Sequence, residues 1–455
     1  MPRRSSTDAG GRAGLRRGWP RLRALVLLLA LATTTAACGR GGGGLAPPVN
    51  LYILIASGRI ADPQGRASLQ KLANSAVQEF MRVNPGVNLH LRFANETDVA
   101  ASLRQRAALG ASPDLLISRV AAAAVLAGEG LTEPSSLEPD QLDPLRIRFL
   151  SGFRQGNRFR AIPFLLQPNL ACYDRRRIAS PPATLGELLW LAEQGRRVGL
   201  PLLMDELIWT GAGFGAEEPI LRLFDPPGGS GRAKALTPEA RQRVLAWLRW
   251  LYRANVNPSV QFVDSSEELV ERLAARELDW ISCNSTAIAR LRRSLGANLA
   301  VSVLPGGDNG EPAQPLARLQ LLSFGRDSTP AQRAMAERFA LFLLNDFSQN
   351  NLMVRAVGNL PVNQNVIVPV KDAPELAAME QSLSHSIVPN FRTGVRIRLL
   401  RDPLMQLLKQ DVYGERGSEQ LLGALEALAL RGVDPVTAGA VSSPMATPTT
   451  SGSEP

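Results

Sequence analysis

Histidine is nearly missing from this chain: its 455 residues include only two, His90 and His385. Nucleophile systems of the Ser-His-Asp or Cys-His kind need an imidazole beside the nucleophile. Here His90 sits in an alternating strand pattern and His385 in a polar helix end, and no Gly-x-Ser-x-Gly turn accompanies either. Phosphate chemistry has no visible cradle, since no Gly-x-x-x-x-Gly-Lys-Ser/Thr loop occurs. The glycines of Trp209–Gly215 follow no clean strand and have no downstream acid placed for a ribose, so they do not read as a dinucleotide loop. Cysteine is as scarce, with Cys38, Cys172 and Cys283 alone, which is too few for a disulfide framework or a zinc site. Aromatic residues make up only 5%, which leaves few rings for stacking. No cofactor and no metal are expected.

One-sided charge is absent from most of the chain. The formal +10 comes from 51 basic and 41 acidic residues, and seven of the basic residues but only one acid, Asp8, fall in residues 1–37. The rest is close to balance, so no basic stripe remains for nucleic acid. Apart from the run Ala24–Ala32, no apolar stretch approaches the ~20 residues of a spanning helix. That run follows the arginines and ends in small residues at Thr35-Ala-Ala-Cys38, the layout of an export signal.

What is present is an alternation of strand and helix patterns. Asn50–Ala56 reads as a buried strand, Ser68–Val83 as an amphipathic helix closed by Asn84-Pro85-Gly86, and Val87–Phe93 as a second strand. Helix Val99–Leu109 and strand Asp114–Ser118 continue the pattern, which implies parallel pairing through right-handed crossovers. Later, Phe159–Tyr173 reads as extended, and 184–195, 237–254, 268–276, 287–295, 330–345, 374–384 and 399–409 read as helices. Strands are expected at 279–283, 300–304 and 319–324. Residues 435–455 are Ser/Thr/Pro/Gly/Ala-rich and are expected to be a disordered tail. Cys172 and Cys283 admit two readings, a single bridge in an oxidising compartment or two buried thiols.

Several ordered segments resemble a family. Gln78–Leu89, with its Glu79-Phe80 and Asn84-Pro85-Gly86, is similar to the opening motif of the extracellular solute-binding proteins of ABC importers, the maltose-type group. Ala108–Leu116, Gly128–Pro134, Ala161-Ile-Pro163, Tyr173-Asp174, Pro181–Leu188, Val303–Gly306 and Gly358–Val362 resemble further motifs of the group, in its order. Cys38 with the glycines after it resembles a lipobox and tether, although Thr35 stands where a leucine is usual.

The resemblance implies an α/β fold of the type II periplasmic-binding-protein kind, two α/β lobes joined by a hinge with a ligand cleft between them. The expected divisions are a signal peptide at 1–37, a lipidated Cys38 with tether at 38–48, a first lobe of 49–165 plus 318–348, and a second lobe of 166–317 plus 349–434. Crossings are expected near Phe164–Gln167 and Arg318–Gln320. Matching positions suggest Arg59, Ser118, Arg119, Gln167, Asp205, Glu206, Trp209, Asn284, Thr286 and Arg396 as ligand-binding residues. Trp209 is read equally as a sugar platform or a core aromatic. The implied protein is a monomeric, non-enzymatic receptor, lipid-anchored on the periplasmic face, that delivers a small carbohydrate or polyol-like solute to ABC permease membrane subunits. Two alternatives stay open: an anionic solute such as a sugar phosphate or sugar acid, motivated by Arg59, Arg119 and Arg396, and an exported carbohydrate-active enzyme, for which Asp205-Glu206 and Glu217-Glu218 supply carboxylates.

Overall fold

The computed structural model describes residues 48–57, 63–96, 98–224 and 235–430. Arg59, Cys38, the signal region 1–37 and the tail 435–455 lie outside the described residues.

In chain order the strands are β1 (Val49–Ser57), β2 (Val87–Asn95), β3 (Leu115–Arg119), β4 (Thr132–Glu133), β5 (Arg154–Gln155), β6 (Arg158–Phe159) and β7 (Ile162–Gln167). They continue as β8 (Asn169–Asp174), β9 (Val198–Pro201), β10 (Val260–Val263), β11 (Trp280–Asn284), β12 (Leu299–Ser302), β13 (Arg318–Gly325) and β14 (Leu360–Pro361). Two larger sheets result. The first has the order β14-β7-β13-β3-β1-β2 with β4 on β13, and the second has the order β10-β9-β11-β8-β12.

The expected parallel pairing holds for β1 with β2 and β3, and for β9 with β10 and β11. β13 instead returns antiparallel to β3 and β7. β1 is apolar on both faces because it is covered on both: Leu51, Ile53 and Ile55 enter one core, while Leu54 and Ala56 join Leu103, Leu116 and Leu126 in another. The helix Pro63–Val83 begins earlier than its apolar stripe and turns Phe80 edge-on to Phe339, with ring centroids 4.9 Å apart. Thr237 caps the helix Pro238–Val256, its hydroxyl accepting from the Ala240 amide at 3.2 Å.

The chain leaves the first sheet one residue beyond the expected crossing. Gln167 still pairs with Arg318, Asn169 already pairs with Asn284, and Pro168 between them has no N–H for either ladder. The return runs through residues 303–317, between β12 and β13. Residues 346–363, largely assigned to the second lobe from the sequence, pack on the first. There β14 pairs with Leu165 and Leu166, and the buried Gln349 amide donates to the Phe164 carbonyl at 3.0 Å while accepting from the Val362 amide at 2.9 Å. The open edge of β7 is what draws this segment in.

Cys172 and Cys283 form a disulfide between β8 and β11, with Cα atoms 5.9 Å apart. Among the described residues no helix is long and apolar enough to cross a membrane.

Candidate ligand cleft

Loops at strand ends carry the charged residues that meet between the sheets. β2 delivers Glu96, β3 ends in Ser118-Arg119, the helix Met204–Leu207 after β9 carries Asp205-Glu206, and β13 starts at Arg318. Ligand sites of open α/β sheets lie at such strand ends. Arg318 Nη1 donates to Glu206 Oε1 at 2.9 Å and so joins the start of a first-sheet strand to a helix of the second lobe. Arg119 donates to Glu96, whose side chain is 2% exposed.

The charges act on one another beyond these contacts. Burial opposes the Arg119 charge, but Glu96 outweighs it and holds the guanidinium above its ordinary pKa, with Glu206 and Asp205 adding to the effect. Burial pushes Glu206 above the usual carboxylate range against the pull of Arg318, with Asp205 pushing the same way and Arg401 and Arg119 opposing. Burial also lowers Arg318, partly offset by Glu206, yet a guanidinium stays protonated at neutral pH. Two buried polar atoms in this region, Ser118 Oγ and Asp205 Oδ1, have no hydrogen-bond partner within the protein.

The remaining candidates separate. Gln167 and Asn284 are 6% and 9% exposed, and their amides are committed to the crossing: Gln167 Nε2 donates to Asn359 Oδ1 at 2.9 Å, and Asn284 Nδ2 donates to the Gln167 carbonyl at 3.1 Å. Thr286 Oγ1 donates to Asn284 Oδ1 at 2.7 Å. Trp209 is a core residue, not a platform. It is 1% exposed and lies 6.4 Å from Trp280 in the second-lobe core, because the 3-10 turn Ile208–Phe214 directs it inward. Arg396 is half-buried on the helix Phe391–Val412. Sequence reasoning passed over Glu96 and Arg318 as site residues. An acid directly after an alternating strand, and an arginine opening a strand otherwise apolar on one face, were the available signals.

A family model for the bacterial extracellular solute-binding proteins matches residues 75–378. The chain belongs to this family. No curated protein matches it by sequence. Among solved structures, this solute-binding protein is similar to a cyclo/maltodextrin-binding protein complexed with maltotetraose, at 15% identity and a TM-score of 0.68 over 84% of this chain and 97% of that one. It is also similar to the GacH receptor of Streptomyces glaucescens, solved unliganded and with acarbose, at 15% identity and a TM-score of 0.66 over 86% of this chain and 100% of that one. A third is an ABC transporter solute-binding protein from Thermotoga lettingae bound with α-D-tagatose, at 14% identity and a TM-score of 0.64 over 84% and 99%. The fold is therefore that of the two-lobed sugar-binding receptors.

Proposed function

We propose that this solute-binding protein captures a small, neutral, polyhydroxylated solute between its lobes and delivers it to the membrane subunits of an ABC importer. One observation carries the reading: the array of Glu96, Arg119, Asp205, Glu206 and Arg318 between the sheets, in which each guanidinium has a carboxylate beside it. A hydroxyl donates and accepts, so it suits a site where carboxylates accept and guanidiniums donate. A phosphate or sugar acid would have to approach three carboxylates, and the arginines that would attract it are already compensated. Ser118 and Asp205 are the contacts we assign first, since each keeps an unpaired buried oxygen. With Trp209 in the core, the site favours a short ligand over a long oligosaccharide threaded along stacked rings.

The solutes of the structural neighbours, maltotetraose, acarbose and α-D-tagatose, support a carbohydrate. Asp205 and Glu206 stand side by side on one helical turn, Glu96 from the other lobe is held by Arg119, and the family consists of binding proteins, so binding without chemistry is the reading we adopt. Export by the signal at 1–37, lipidation at Cys38 and a monomeric state complete the proposal.

A thermal-shift screen against mono- and disaccharides, maltotetraose, tagatose, polyols, sugar phosphates and sugar acids tests it. A native-state ligand at about 100 times its Kd adds about 2.7 kcal/mol. The expected hits are neutral and short, and they weaken in Asp205→Ala. Hits confined to the anionic compounds would overturn the reading.

A further inference from the structure

The connection between the lobes carries buried amides and hydroxyls alongside its apolar packing, in which Leu166, Leu319 and Leu360 of the first sheet share one cluster with Leu170, Ile281 and Ile288 of the second lobe. Around Pro168, the only residue between β7 and β8, the Asn284 amide donates to the Gln167 carbonyl at 3.1 Å and the Ser285 backbone amide donates to the Pro168 carbonyl at 2.9 Å. Asn169 Nδ2 reaches across to the returning chain and donates to the Leu316 carbonyl at 3.1 Å. Gln167 Nε2 donates to Asn359, and Ser285 Oγ donates to the Gly358 carbonyl at 2.6 Å. Gly358 has φ +93°, and a Cβ on it would lie 2.2 Å from the Ser285 carbonyl oxygen, so the two segments meet backbone to backbone. Residues 167 and 358–359 lie with the first sheet, while 284–285 follow a strand of the second.

The outgoing crossing, the returning crossing and the 358–359 segment are thus fastened at one point. All these side chains are less than a tenth exposed, where leaving a polar group without a partner is costly. Apolar contacts slide at little cost, whereas directional bonds between buried groups fix one relative orientation.

We propose that Gln167, Asn284, Ser285 and Asn359 are positioning residues. They form a hydrogen-bonded clasp at the pivot that sets the balance between open and closed lobes, and so the apparent affinity, without contacting the solute. A receptor whose competent state is only partly populated binds more weakly by that fraction, so a change at the clasp reaches the cleft through the equilibrium alone. The inference requires two lobes that rotate but no particular solute, so its test uses none.

The full chain, with Cys38→Ser, would carry spin labels at Leu109→Cys and Trp190→Cys, positions exposed by 82% and 56% on the two lobes. Pulsed dipolar spectroscopy then reads the interlobe distances. Asn284→Asp keeps the oxygen that accepts from the Thr286 amide at 3.2 Å but loses the donor to Gln167, and Ser285→Ala loses only the bond to Gly358. Both are expected to broaden the distances and move their mean by several ångströms. Leu404→Ala, in the second-lobe core, is expected to lower the melting temperature without moving the distances. Distances unchanged from the parent in the clasp variants, with only the melting temperature lowered, would overturn the proposal. If Asn284→Asp does not fold, Ser285→Ala decides alone.

Discussion

Asp411 shows how far one side chain's surroundings can set a property of the whole protein. It is 1% exposed, one oxygen accepts from Ser418 Oγ at 2.8 Å, and the other has no protein partner. Burial raises its pKa from 3.8 to about 6, only partly opposed by the Ser418 bond. A carboxyl that holds its proton more tightly when folded lends stability that is fully present below its unfolded pKa and is lost as pH rises through the folded value. The loss should therefore run from about pH 4 to about pH 7 and amount to ~3 kcal/mol. Asp411→Asn removes the titration, so its melting temperature should exceed that of the parent at pH 8 and fall much less between pH 4 and pH 7. Parallel melting curves against pH would refute this. The sequence offers no sign of the effect, because an aspartate between Gln410 and Val412 looks like any polar helix position until its neighbours are in place.

At the scale of elements, the disulfide is the clearest case. Sequence reasoning weighed a bridge against two thiols, and the answer depended on whether residues 111 apart land on facing strands. They do, since β8 runs antiparallel to β11 with Ile281 opposite Cys172. Closing a loop of about 100 residues is worth up to ~4.7 kcal/mol on chain-entropy grounds, and loss of native bridges typically costs ~2–5 kcal/mol. The double variant Cys172→Ala/Cys283→Ala should lose stability in that range by denaturant titration, and the reducing agent that weakens the parent should leave the variant unchanged. A variant as stable as the oxidised parent would mean that the strands hold their register without the bridge. Helices were legible where an apolar stripe or cap marked them, as at Thr237. The helix Phe391–Val412 was legible only over 399–409, since the arginines in its first turns obscure the periodicity that the burial of Ile397, Leu400, Leu404, Leu408 and Val412 in the second-lobe core reveals.

The whole molecule is a receptor fold whose compartment we infer from its beginning. If Cys38 is lipidated, the parent should fractionate with membranes, and Cys38→Ala should move to the soluble fraction with an unchanged melting temperature of the folded part. Identical fractionation of the two would end the lipid-anchor proposal. One acyl chain binds only marginally, so firm retention of the parent would also speak for more than one chain on the cysteine.

Most of the order of strands and helices was legible in the sequence alone, because periodicity and caps are local facts, although β9 and β10 were not expected and the two-lobed class was implied only by the family resemblance. Ser118, Arg119, Asp205 and Glu206 could be named from position, but their shared surroundings could not. That Arg318 reaches Glu206 from more than a hundred residues away, that Trp209 turns into the core, and that Gln167 and Asn284 spend their amides on the crossing were decided by tertiary structure. The physical reason is common to all of these: a side chain's role depends on what desolvates it and what pairs with it, and both partners arrive from distant parts of the chain only once the sheets have formed.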